Sequence, residues 1–152
     1  ISRVMSLRDG NKKMSKSDLS EYSRIMLSDD KDKIIQKIRK AKTDPTPMPF
    51  DLQELKSRPE ASNLISIFAA LSNNEVKNVI NNYAGKEFSS FKADLADLII
   101  EKITPISIEI KKLMNDKIYL DSIIKSGKER AISIAEPVLE KVHKIVGFTS
   151  NK

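Results

Sequence analysis

The sequence contains no cysteine, so neither a disulfide nor a thiolate metal centre can form, and a reducing compartment is expected. Its one histidine, His143, has no second histidine with which to build a metal site and no thiol to activate. The usual parts of zinc sites and of Ser–His or Cys–His nucleophile schemes are therefore missing. Glycine occurs only four times, at scattered positions, which rules out a P-loop or a GxGxxG turn. No apolar run approaches the ~18 residues of a membrane helix, and no signal-peptide pattern opens the chain. A soluble protein is expected. Tryptophan is absent, and tyrosine and phenylalanine total eight. No stacking platform for exposed bases can be named, and Tyr83, Phe88, Phe91 and Tyr119 are read as core or boundary residues.

What remains is a chain of 152 residues, 39% apolar and 32% charged, long enough for a domain with a real core. Its net charge is +6 with a pI near 9.4, a balance that favours anionic partners. The first residue, Ile1, lies inside an apolar run, so a piece of a longer chain is expected.

Residues 1–8 (ISRVMSLR) read as a short extended segment running into a turn at Asp9-Gly10. Next come Lys12-Lys13-Met14-Ser15-Lys16-Ser17, three cations and two hydroxyls in one polar loop. Such a loop can surround a polyphosphate, because an ammonium is a compact point charge and loop amides add donors. Residues 20–27 are expected to be irregular or one helical turn. Ser28-Asp29-Asp30 reads as a helix start, with a hydroxyl cap followed by acids in the first turn. Ile34, Ile35, Ile38 and Ala41 form the apolar stripe of that helix. Its other face carries Lys31, Lys33, Lys37, Arg39, Lys40 and Lys42, as either a solvated surface or a track for RNA phosphate. The helix is expected to stop before Pro45.

Four of the six prolines fall within residues 45–59, a length of irregular chain that is usually functional or a linker. Helix then follows helix. Pro59 suits a first turn, Ser72-Asn73-Asn74-Glu75 reads as a capping box, and Gly85 as a helix-ending residue. A long apolar pattern from Leu95 to Leu113 contains Pro105, which predicts a kink. A shorter helix from Asn115 or Asp116 is expected to close at Gly127. A final one, from about Lys128 to Val146, is expected to be kinked at Pro137 with Ala131, Ile134, Ala135, Val138, Leu139, Val142 and Ile145 inward. The fold class is mainly α: a short extended segment and lysine loop, then a helical bundle.

Lys13 to Ser17 spells KMSKS and resembles the second signature of class I aminoacyl-tRNA synthetases. Arg3-Val4-Met5-Ser6-Leu7 and Lys12 to Asp18 together are similar to the bacterial tryptophanyl-tRNA synthetase family. So are KIRKAKTD (Lys37 to Asp44), Ser62-Asn63-Leu64, Tyr83-Ala84-Gly85-Lys86, Phe91 to Ala96, Pro105-Ile106 and Gly147-Phe148. The likeness spans nearly the whole chain in the family's order. Two features stand apart from it: Asp9-Gly10-Asn11 occurs where Asp-Pro-Thr is common, and Pro137 is not anchored to the family pattern.

The resemblance implies that residues 1–44 are the tail of a Rossmann-type catalytic domain, 45–59 a Pro-rich connection, and 60–152 a helical anticodon-binding domain. It implies a cytoplasmic parent enzyme, homodimeric through its catalytic half, that joins L-tryptophan to tRNA(Trp) at the expense of ATP, with Mg2+ bound to the nucleotide. By this likeness Lys13 and Lys16 stabilise charge on the pyrophosphate leaving group. Ser15 and Ser17 supply donors, and Val4 and the Met14 backbone line the adenine side. Nothing here resembles the half that carries the HIGH-type histidine motif and the tryptophan pocket, so the chain alone is expected to be inactive. Other readings remain open: a stand-alone helical RNA-binding module, a purely structural bundle, or a tyrosine-specific relative.

Overall fold

In a computed structural model the described residues are 3–148; the expected extension of Ile1 and Ser2, and residues 149–152 of the last segment, lie outside them. The chain divides into two compact units, Ile1–Ile108 and Glu109–Lys152.

The first unit opens with an antiparallel hairpin, β1 (Met5–Ser6) and β2 (Asp9–Lys13). The turn falls at Leu7-Arg8, two residues earlier than expected. Gly10 is not in the turn but inside β2, where its missing side chain lets the strand meet another backbone. A Cβ there would stand 2.5 Å from the Pro59 carbonyl carbon and 2.6 Å from the Glu60 nitrogen. Leu7 ties the turn into the molecule. Its N–H donates to the Ser23 carbonyl (2.9 Å), its carbonyl accepts from the Lys42 N–H (2.7 Å), and its side chain is buried.

A 3-10 turn at Glu21–Ser23 precedes α1 (Lys31–Arg39). Asp30, not Ser28, caps this helix by accepting from the Lys33 N–H. Asp29 turns inward to Lys37, which is buried and therefore absent from the basic outer face. Ile34, Ile38 and Ala41 face the core as expected, while Ile35 stays exposed. The helix ends at Arg39, before the proline signal. The Lys42 N–H has left the ladder for the Leu7 carbonyl, and one N–H can complete only one such bond.

The proline-rich stretch is more ordered than its composition suggests. Met48 and Pro49 are buried, and α2 (Leu52–Lys56) starts at Asp51, whose carboxylate accepts from Gln53 and Glu54. Arg58 fastens the stretch: its guanidinium donates to both Asp44 oxygens, to Glu54 and to the Thr46 and Pro47 carbonyls.

Pro59 begins α3 (Pro59–Ser72) as its dihedral preference predicts. The expected capping box does not form. Ser72 remains inside α3, donating to the Phe68 carbonyl, and Asn73 closes the helix at φ 55°, a left-handed position that asparagine tolerates. Helix α4 (Val76–Tyr83) ends before Gly85 at φ +70°, as the sequence indicated. Helix α5 (Phe88–Asn115) continues through Pro105. Leu64, Ile65, Val79, Ile80, Phe91, Leu95 and Ile99 interlock with Leu7, Ile34, Ile38 and Met48 in one core. Phe68, Tyr83 and Phe91 stack mutually with centroids 4.9–5.6 Å apart.

The second unit holds the end of α5 and α6 (Lys117–Val146), capped by Asp116 accepting from the Tyr119 N–H. Helix α6 runs unbroken through Gly127, where a break was expected, and contains Pro137. A single glycine costs a helix only about 1 kcal/mol, which its neighbours can carry. The inward stripe assigned to this helix is not inward. Ile134, Val138, Leu139, Val142 and Ile145 are exposed, and no residue of α6 is buried. Tyr119, expected at the core or its boundary, is about half exposed as well. The pattern was helical, but among the described residues of this unit nothing buries it.

Among the described residues no helix is long and apolar enough to cross a membrane.

Candidate functional site

Lys13 is the last residue of β2 rather than a loop residue, and it pairs across the hairpin with Met5. The chain then leaves the strand with one more bond, from the Met14 N–H to the Val4 carbonyl at 3.1 Å. Val4 and Met14 are thereby brought side by side, both half-buried. Ser15, Lys16 and Ser17 project into solvent beyond them.

The loop shapes itself through its own hydroxyls. Ser15 Oγ lies 3.0 Å from Ser17 Oγ and accepts from the Ser17 N–H. On the far side, Asp18 Oδ1 accepts from the Ser20 N–H, and Arg24 donates to the Asp18 and Ser20 carbonyls at 2.9 and 3.2 Å. Ser15 to Ser17 is thus a short exposed span held at both ends, by the half-buried Met14 on one side and the Asp18–Arg24 bonds on the other.

Electrostatics separates the lysines. Lys12 lies 3.5 Å from Asp9, whose carboxyl the Asn11 N–H and Lys12 hold below its usual value. Lys42 lies 2.9 Å from Glu60. That hydrogen bond raises the lysine and lowers the acid, the Gly10 N–H adding to the latter effect. Among the described residues no ion pair involves Lys13 or Lys16. These two cations, one at the strand end and one on the span, with the two span hydroxyls, suit a polyphosphate, whose oxygens accept from all four.

One residue of this region was quoted in the sequence without a role. Asn63, on α3, is buried and makes three hydrogen bonds to β1. It accepts from the Met5 N–H at 2.9 Å and donates to the Met5 and Ser6 carbonyls at 2.8 and 3.4 Å. Helical periodicity gave no signal for it, because Asn63 stands one or two residues from Ala61, Leu64 and Ile65 and so off their apolar face; only its burial, which obliges a polar group to find partners, marks it.

Comparison with known proteins gives the family. The family model for "tRNA synthetases class I (W and Y)" matches residues 1–103. The tryptophan–tRNA ligase of Rhizobium meliloti is 51% identical over 146 residues, 96% of this chain and 41% of the relative. That of Rickettsia felis is 49% identical over 96% of this chain and 44% of the relative. The crystal structure of tryptophanyl-tRNA synthetase from Mycoplasma pneumoniae superposes with a TM-score of 0.70 at 25% identity, covering 97% of this chain and 46% of that one. This chain spans less than half the length of these relatives. Matched by that family model over residues 1–103, more than half of its length, the chain belongs to the class I tRNA synthetases of the tryptophan and tyrosine group.

Proposed function

We propose that this chain supplies the phosphate-closing loop and the tRNA-facing helices of a tryptophan–tRNA ligase. The observation that carries the reading is Lys13 at the end of β2 and Lys16 on the exposed span just beyond it, neither in an ion pair with a carboxylate among the described residues. In such an enzyme the tryptophan carboxylate attacks the α-phosphate of ATP, forming tryptophanyl-adenylate and releasing pyrophosphate, and the acyl group then passes to the tRNA 3′ end. Negative charge grows on the leaving pyrophosphate during the first step. Lys13, fixed at the end of a strand, and Lys16, on the movable span, meet that charge as it develops, and such interactions lower the barrier more than ground-state binding does. Ser15 and Ser17 add hydroxyl or amide donors, while Val4 and the Met14 backbone flank the adenine. Mg2+ arrives with the nucleotide and neutralises part of its charge; no residue of this chain is assigned to it. Closure of the span over the phosphates belongs to the cycle.

The helices after Pro59 face the anticodon end of tRNA(Trp), and the protein acts in the cytoplasm as a homodimer joined through its catalytic half. The 152-residue chain alone does not make adenylate.

The test is single-turnover adenylate formation by the full-length protein. Lys16→Ala lowers its rate about a hundredfold, in line with the loss of one developing-charge contact, and leaves tryptophan affinity little changed. Weaker tryptophan binding at an unchanged rate would overturn the role given to Lys16.

A further inference from the structure

The hairpin that carries Lys13 has a short, interrupted ladder of its own. Its two strands share only two register pairs, Met5 with Lys13 and Ser6 with Asp9, so Gly10, Asn11 and Lys12 are looped out between them. A ladder this short and this interrupted specifies register weakly, and a slip of one residue would turn every side chain to the opposite face. Something outside the hairpin must decide where Lys13 points.

We infer that Asn63 is the positioning residue for Lys13, an assignment that rests on the phosphate-loop reading above. Its amide takes up both backbone groups of Met5, the residue directly across from Lys13, and reaches the Ser6 carbonyl as well. An amide presents one acceptor and two donors in a fixed plane, and here all are turned on one strand edge. The same helix closes on the looped-out residues. The backbone of Pro59 and Glu60 lies against Gly10 more closely than any side chain would allow, and the Gly10 N–H helps hold the Glu60 carboxyl in its ionised form. Lys13 is therefore carried by the first turns of α3. A sideways shift of about 1 Å at a catalytic group can cost a hundredfold in rate, and loss of the amide frees a shift of that size.

Rapid-quench measurements on the full-length protein separate positioning from folding. The burst amplitude counts competent sites, the burst rate constant reports adenylate formation at those sites, and transfer from preformed adenylate to tRNA reports a step from which pyrophosphate has already left. Asn63→Asp keeps the shape and the acceptor for Met5 but places oxygens against two carbonyls; Asn63→Ala removes the clamp. Both are expected to lower the burst rate constant at least about tenfold and to leave the transfer rate within about twofold. Because the rate constant is read per competent site, a variant that folds incompletely still reports. Leu71→Ala, which truncates a half-buried residue packed against the core near the other end of the same helix, is expected to lower stability without changing the burst rate constant. If Lys16→Ala slows the burst while both Asn63 variants keep the native rate constant, the positioning role is overturned and the loop reading stands. If Lys16→Ala does not slow the burst, the loop reading falls and the inference falls with it.

Discussion

The Lys37 ammonium bonds to the Asp29 carboxylate where both side chains are more than nine-tenths withdrawn from solvent. Asp29 also accepts from the Met26 N–H at 2.9 Å. One buried pair thus fastens the segment after the lysine loop onto the inner side of α1. A pair of this kind is costly to bury and costlier to break, because removing one partner strands the other.

Lys37→Met is accordingly expected to lose about 3–5 kcal/mol, read as a large drop in Tm. The double variant Asp29→Leu with Lys37→Met is expected to recover most of it, since replacing both charges by apolar groups removes the stranded ion. A double variant no more stable than Lys37→Met would show that the pair is not the source of the loss.

At Gly10 the close backbone approach gives a steric prediction. Gly10→Ala drives a methyl into the Pro59 and Glu60 backbone, which no rotamer change relieves. A loss of about 1–3 kcal/mol is expected, measured by urea unfolding. An unchanged midpoint would mean that β2 and α3 separate freely.

The Asp44–Arg58 contact makes stability sensitive to acid. Burial alone would raise the Asp44 carboxyl, but hydrogen bonds from Arg58 and Thr46 and the Arg58 charge bring it below the ordinary aspartate value of 3.8. A carboxylate with a depressed folded pKa contributes stability that is present above its unfolded pKa and lost as pH falls through the folded one. Tm of the native protein is expected to fall below pH of about 4, and Asp44→Asn to lose this component of the acid slope. Identical acid slopes in the two proteins would refute the assignment.

Tyr83 behaves in the opposite sense. Burial, and then its hydrogen bond to Asp94 at 2.8 Å, push the phenol up to about 12. A raised folded pKa means stability that is complete below the unfolded value of 10.0 and lost as pH climbs toward 12. Ultraviolet titration is expected to find one tyrosine ionising late, and Asp94→Asn to move it earlier. A late tyrosine that does not respond to Asp94→Asn would assign the whole shift to burial.

Particular residues show what could be read from one dimension. Gly85 announced the end of α4 because a left-handed residue after a helix favours glycine. Pro59 announced the start of α3 because its ring needs no N–H. Ser28 and Asp29 misled, since a cap and a buried ion pair use the same residue types, and only the position of Lys37 distinguishes them. Ser72 misled for a similar reason: its hydroxyl bonded backward to Phe68 inside α3 instead of forward to a new helix.

Sequence alone determined the helical character of the chain, its family and the residues of the lysine span. Helical periodicity and a contiguous motif are local properties, and the chain carries them wherever it folds. Tertiary structure decided which lysine is free, which is paired and which is buried, because Asp9, Asp29 and Glu60 reach their cations only after folding. It also decided that Asn63 grips the strand across from Lys13, 58 residues away from Met5 in sequence. A hydrogen bond needs its partners within about 3 Å, and no pattern along the chain records that distance.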